Sequence, residues 1–251
     1  MSSAPDPFAH HPELRDRIKD PHTSYFRDFD VKQAFASRPE LHWVYELMHT
    51  AEQRDASRLP LLEAHEGDLW VFAYGSLMWD PAFIFDEVLR AVVADHERRF
   101  ILKDVWGARG TLEAPGLMAA LDRGDGCEGL VFRIARERID AETEILWRRE
   151  MVGPGYLPRF VTAQLGDATV QALTFVADYT ADAMKPELTH DEQVAYCATG
   201  KGFLGTSHEY LRNIVDQFAA LGVDDAHCTA LLRDVEAFMQ AHPATTTGPT
   251  T

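Results

Sequence analysis

The sequence predicts an α+β fold, organised around a mainly antiparallel sheet or small barrel. Three observations lead there. Short apolar runs bounded by Gly and Pro recur through the middle of the chain, one helical pattern is inserted among them, and two more follow near the end.

Taken in order, residues 1–66 read as an N-terminal extension, partly helical or irregular. Pro5, Pro7, Pro12, Pro21, Pro39 and Pro60 keep periodic runs short. Helical patterns are confined to Val31–Ala36 and Glu40–Arg54, where Leu41, Val44, Tyr45, Met48 and Ala51 fall on one stripe. The extension reads as peripheral, so loss of residues 1–30 should be tolerated. The pattern changes at Asp68. Leu69–Ala73 is a short apolar run, and with Tyr74 it leads into Gly75-Ser76, a buried strand entering a tight turn. Further strands are expected over Arg99–Leu102, Leu117–Leu121, Gly129–Ile134, Phe160–Leu165 and Val170–Tyr179, the last apolar on both faces. Gly124, Gly126 and Gly166 supply turns between them. Asp140 is the expected cap of a helix running through Ile145, Leu146 and Trp147 to Glu150, stopped by Gly153-Pro154-Gly155. Leu211, Ile214, Val215, Phe218 and Leu221 repeat at helical spacing, as do Leu231, Leu232, Val235, Phe238 and Met239. The main domain is thus expected over 67–242, with 243–251 a disordered tail.

Composition narrows the function. The chain of 251 residues carries 24 Lys and Arg against 40 Asp and Glu, a formal charge of −16. A field of that sign repels phosphate backbones and anionic membranes, so neither nucleic acid nor membrane is an expected partner. An anionic small molecule would need a local basic or N–H-rich site. Cys127, Cys197 and Cys228 form no CxxC pair and read as reduced thiols. The N-terminus lacks the basic and apolar regions of a signal peptide, and no apolar run approaches the roughly 20 residues of a membrane span. The cytoplasm is the expected location. Six of the eleven histidines fall in residues 1–66 without metal-ligand spacing, so no metal is expected.

Two places carry chemistry. A strand ending in Tyr74-Gly75-Ser76-Leu77 leaves successive backbone N–H groups free to converge on a carboxylate or oxyanion, although an ordinary strand-end turn gives the same pattern. Ser76 lacks the second Gly of a nucleophile elbow. Glu150 ends its helix at the pole that disfavours a carboxylate, and burial beside Trp147 and Tyr156 would raise its pKa further, toward the range of a general acid/base. The commoner reading of such a Glu is a solvated side chain or a partner of Arg148 or Arg149. Gly200-Lys201-Gly202 lacks the pattern of a phosphate loop. Arg98-Arg99 and Arg148-Arg149 read as solvated or ion-paired.

Together these signals resemble the ChaC-type, glutathione-specific γ-glutamylcyclotransferases. The resemblance rests on Leu69–Trp79 (LWVFAYGSLMW), Arg109-Gly110-Thr111, Pro115-Gly116, Leu146–Met151 (LWRREM), Gly155–Pro158 (GYLP), Leu204-Gly205-Thr206 and Glu209-Tyr210-Leu211. It covers about two thirds of the chain and says nothing of residues 1–66. It implies a γ-glutamylcyclotransferase-type barrel with packed helices. It also implies that Tyr74, Gly75, Ser76 and Leu77 hold the γ-glutamyl group, that Glu150 is the catalytic acid/base, and that Tyr156 and Tyr210 line the substrate. The implied substrate is glutathione, cyclised to 5-oxoproline with release of Cys-Gly and without cofactor. Charge alone suggests Arg109 or Arg159 for the glycine carboxylate. The alternatives are a cyclotransferase for other γ-glutamyl amino acids or amines, and a non-catalytic AIG2-like binding or regulatory protein.

Overall fold

The computed structural model describes residues 6–223 and 225–243. The expected tail lies outside these residues except for Pro243. The chain divides into two compact units, one drawn from residues 1–102 and 119–185, the other from 103–118 and 186–251.

The first unit begins with 3-10 turns at Pro12–Leu14, Pro21–Thr23 and Tyr25–Asp28, then the short helix α1 (Val31–Ala34). In place of a helix over Glu40–Arg54 stand a 3-10 turn, Pro39–Glu46, and a second helix, α2 (Ala51–Glu63). Thr50 separates them because it builds a reciprocal cap: its hydroxyl accepts the Gln53 N–H at 3.3 Å while the Gln53 side chain accepts the Thr50 N–H at 2.8 Å. The strands are β1 (Leu69–Ala73), β2 (Glu87–Val93), β3 (His96–Asp104), β4 (Gly116–Arg123), β5 (Cys127–Ile134), β6 (Tyr156–Leu165) and β7 (Ala168–Ala177), with α3 (Ile139–Glu150) between β5 and β6. β2 is absent from the sequence expectation, because its run includes Glu87 and Arg90.

Five strands close a barrel in the order β1-β5-β2-β6-β7, and β7 returns to β1. The closing pair is parallel, with Trp70 opposite Ala172 and Val71 opposite Leu173; the other four junctions are antiparallel. β4 and then β3 extend the sheet beyond β7. β6 and β7 form a hairpin through Gly166, whose φ of 62° suits glycine. β1 is buried almost throughout, since it has strands on both edges; Leu69, Val71, Phe72 and Ala73 have no exposed surface.

Helix α3 lacks the expected Asp140 cap. Its N-cap is Arg138, without a side-chain bond, and Asp140 instead accepts from Arg58 at 2.7 Å. The inner face of α3 buries Ile145, Leu146 and Trp147, and the Trp147 ring meets Phe175 of β7 edge-on at 5.2 Å.

Residues 6–66 belong to this unit and are less peripheral than their prolines suggest. Leu14, Val31, Phe35, Leu41 and Val44 are buried. Arg27 forks onto Glu142 of α3 at 2.8 and 3.0 Å, and the same carboxylate accepts the Ile84 N–H at 2.8 Å. Residues spaced by proline can still bury side chains, because each 3-10 turn fixes the chain for a few residues at a time.

In the second unit, α4 (His190–Thr199), a two-residue hairpin of β8 (Lys201–Gly202) and β9 (Gly205–Thr206), α5 (Ser207–Ala220) and α6 (Ala226–Ala241) follow one another. The first two of these helices start on capping boxes at Thr189 and Thr206. Leu211, Ile214, Phe218, Cys228, Leu231 and Val235 make the helical core. No described helix is long and apolar enough to cross a membrane.

The Arg27–Glu142 pair gives a direct test of how the N-terminal segment is held. Glu142 is buried and loses its Arg27 ion pair in Arg27→Leu, which should cost about 3–5 kcal/mol in urea unfolding. Adding Glu142→Leu should recover a large part of that loss, since the stranded charge goes with it.

Candidate active site

The turn after β1 is fixed from both sides of Tyr74. Its hydroxyl donates to the Phe175 carbonyl of β7 at 2.7 Å, and its carbonyl accepts from Arg98 Nε at 2.6 Å. Arg98 is buried and also donates to the Glu128 carbonyl at 2.5 Å. Arg98 is thus buried rather than solvated, and two backbone carbonyls accept from it. Arg99 and Arg148 do make side-chain ion pairs, with Asp122 at 2.7 Å and Glu144 at 3.3 Å.

Beyond Tyr74 the chain turns through Gly75 into a 3-10 turn, Ser76–Met78. The backbone bonds of this turn run from Met78 N to Gly75 O at 2.9 Å, from Trp79 N to Ser76 O at 3.3 Å and from Asp80 N to Ser76 O at 3.0 Å. None of them uses the N–H of Gly75, Ser76 or Leu77. Successive donors that a turn's own bonds do not use are of the kind that can converge on a carboxylate.

Glu150 is the last residue of α3, where the helix dipole is unfavourable to a negative charge. Its side chain is 17% exposed and lies 3.0 Å from Arg149 Nε. Burial pushes the Glu150 carboxyl above its ordinary range, and Arg149 pulls it part of the way back.

Arg149 connects these parts. Its side chain is 4% exposed, and the guanidinium donates from Nη2 to Ser76 Oγ at 2.8 Å and from Nη1 to the Asp80 carbonyl. The Phe26 ring covers its face, 4.1 Å from the guanidinium carbon. Asp80 is itself nearly buried and accepts from the Ser24 hydroxyl at 2.5 Å. Arg149 is therefore ion-paired, one of the two expected states, but buried rather than at the surface. Asp80, Phe26 and Ser24 have no part in the sequence reading, because only the folded chain brings them to the YGSL turn.

The other expected site residues fall in two places. Tyr156, in the first unit, donates to the Ala119 carbonyl at 2.9 Å, and Arg159 is exposed on β6. Arg109 and Tyr210 meet each other in the second unit. Arg109 lies 5.7 Å from the centre of the Tyr210 ring and donates to the Leu204 carbonyl. Its own N–H, with those of Trp106 and Gly110, is accepted by the buried Asp104 carboxylate. Among the described residues, no three or more His, Cys, Asp or Glu side chains gather as a metal-ligand set.

This geometry can be set beside known proteins. The family model described as ChaC-like protein matches residues 69–238. A glutathione-specific gamma-glutamylcyclotransferase of Escherichia coli (strain K12) is 35% identical over 217 residues, covering 84% of this chain and 91% of that protein. A glutathione-specific gamma-glutamylcyclotransferase 1 of Homo sapiens is 31% identical over 182 residues, covering 67% and 80%. A crystal structure of a yeast gamma-glutamyl cyclotransferase specific to glutathione superposes with a TM-score of 0.64 at 21% identity, covering 71% of this chain and all of that one, a likeness of fold.

The environment of Glu150 predicts a pH-dependent stability. Its folded pKa is raised, so ionisation is disfavoured in the folded state. The contribution of this one group favours the folded protein most below the ordinary value of 4.5 and is lost as pH rises through the raised value. Glu150→Gln cannot ionise and should melt at a higher temperature than the parent at pH 7–8. The difference should shrink as pH falls toward 4.5. A parent protein more stable than the variant at pH 8 would contradict this account of the site.

Proposed function

We propose, from the premise that this chain belongs to the ChaC-like family, that it is a glutathione-specific γ-glutamylcyclotransferase with Glu150 as its general acid/base. One observation carries the reading. The Glu150 carboxylate and the Ser76 hydroxyl, distant in sequence, hold the same guanidinium, at 3.0 and 2.8 Å. A titratable group is thereby tied to a turn that offers N–H donors.

The reaction needs little beyond that arrangement. The α-amine of the γ-glutamyl group attacks its own γ-carbonyl carbon. A new C–N bond closes the five-membered lactam, and the bond to the cysteine nitrogen breaks. The products are 5-oxoproline and Cys-Gly, with no water consumed. Because the attack is intramolecular, the enzyme's main task is to hold a folded conformer. The N–H groups of Gly75, Ser76 and Leu77 are suited to the α-carboxylate. Glu150, as carboxylate, takes a proton from the attacking ammonium and returns one to the leaving nitrogen. Burial raises the pH at which Glu150 exchanges its proton above the ordinary carboxylate range, and Arg149 opposes that rise.

The donors at this turn and the buried Arg149 and Arg98 also offset, locally, a chain charge of −16 that would otherwise repel an anionic tripeptide. Cys127, Cys197 and Cys228 are buried thiols, which suits a reducing compartment such as the cytoplasm.

Incubation with glutathione should yield 5-oxoproline and Cys-Gly in equal amounts. Glu150→Gln should remain folded and lose about 10²–10⁴-fold in rate. The parent's kcat should fall on the acidic side at a pH above the ordinary 4.5 of a glutamate. A folded Glu150→Gln protein of full activity would remove Glu150 from the chemistry.

A second outcome concerns selectivity. γ-Glutamyl-alanine shares the group held at the turn but lacks the Cys-Gly end, whose binding can help order the reacting end. Its kcat/KM should be well below that of glutathione; equality would favour a broader cyclotransferase.

A further inference from the structure

The N-terminal segment lies outside residues 69–238, which carry the family match, yet it touches the core of the site. Ser24, Phe26 and Arg27 are near neighbours in sequence and each engages a different part of it. The Ser24 hydroxyl donates to Asp80 Oδ1 at 2.5 Å and accepts the Phe26 N–H at 3.1 Å, capping the 3-10 turn Tyr25–Asp28. Arg27 forks onto Glu142, near the start of α3, and donates to the Ala82 carbonyl at 3.0 Å. The Arg27 carbonyl accepts from Arg148, near the end of α3, at 2.6 Å. Phe26 is thus clamped between two anchors, and its ring is braced by Phe29 at 5.6 Å.

Against that ring lies the Arg149 guanidinium, 4.1 Å from its centre. A guanidinium is planar, so its donors turn together. Arg149 aims Nη2 at Ser76 Oγ, Nη1 at the Asp80 carbonyl and Nε at Glu150. A ring stacked on its face fixes the plane, and with it all three directions.

We propose that Phe26 is a positioning residue for turnover: its aromatic face sets the plane of Arg149, and Arg149 in turn holds Glu150 in register with the Ser76 turn. The extension is then part of the active site by way of one aromatic contact. Phe26 acts through Arg149 and need not touch substrate. The inference rests on the proposed function, because turnover of glutathione is its readout.

The charged groups that face Arg149 are Asp80 and Glu150, with Lys19 3.7 Å from Asp80. None of them is on the 3-10 turn that carries Phe26. Substitution at Phe26 therefore leaves the local charges in place and changes only the face that covers the guanidinium.

The test compares kcat and KM for glutathione in the parent, Phe26→Tyr, Phe26→Leu and a protein with tetrafluorinated phenylalanine at position 26. Tyr keeps the electron-rich face, Leu keeps apolar volume without it, and fluorination keeps the ring's shape while withdrawing its negative charge. Cation–π contacts correspond to about three- to thirtyfold in rate. We expect a loss of that size in kcat, with KM little changed, for Phe26→Leu and for the fluorinated protein, and near-parental kcat for Phe26→Tyr. Melting temperatures are recorded for each, and the fluorinated protein decides the matter if Phe26→Leu does not fold. Parental kcat in the fluorinated protein would overturn the proposal while leaving the proposed function standing. A rise in KM alone would also overturn it, since it would mark Phe26 as a binding residue. A parent protein with no turnover of glutathione would overturn the function, and this inference with it.

Discussion

A guanidinium places five N–H donors in one plane, and Arg149 distributes them among a strand-end turn, a backbone carbonyl and the carboxylate that follows it in sequence. Much of the first unit serves to make that placement tolerable. A cation that is only 4% exposed needs partners on every edge, because an unpaired buried charge costs several kcal/mol. Ser76, the Asp80 carbonyl and Glu150 supply the edges, and Phe26 covers a face. The same arrangement explains the opposing influences on the Glu150 pKa, which is raised. Burial and the helix end disfavour its charge, and the adjacent guanidinium restores part of it.

The barrel supplies the rigid frame for this bridge. β1 pairs with β5 on one edge and β7 on the other, so the turn it leads into starts from a strand that has little freedom to move. Tyr74 then ties the turn to Phe175, and Arg98 reaches it from β3. Glu150 arrives from the other side on α3, whose inner face is seated by Leu146 and Trp147. Two elements anchored separately meet at one guanidinium, so small shifts in either would be felt at the carboxylate.

The N-terminal segment shows how proline-rich sequence can be structural without long periodic runs. Its 3-10 turns are too short to leave a helical stripe in the sequence, yet they deliver Ser24, Phe26 and Arg27 to Asp80, Arg149 and Glu142. Each contact spans more than 50 residues of chain, so no local pattern could announce it.

The sequence by itself determined the elements whose side chains alternate or repeat. β1, β4, β5 and α3, and the apolar faces of α5 and α6, follow from local spacing, because burial on one face forces that spacing. It also singled out the Tyr74–Leu77 turn and, through the WRREM resemblance, Glu150. Tertiary structure decided what those residues meet. The parallel β1–β7 closure and the burial of Arg98 and Arg149 depend on partners distant in the chain, whereas the capping box that divides α2 from the turn before it is local to Thr50 and Gln53. A lone Arg in a sequence is most economically read as solvated. Only the folded chain, by bringing carbonyls, a hydroxyl, a carboxylate and a ring around one guanidinium, makes burial of that charge the more stable choice.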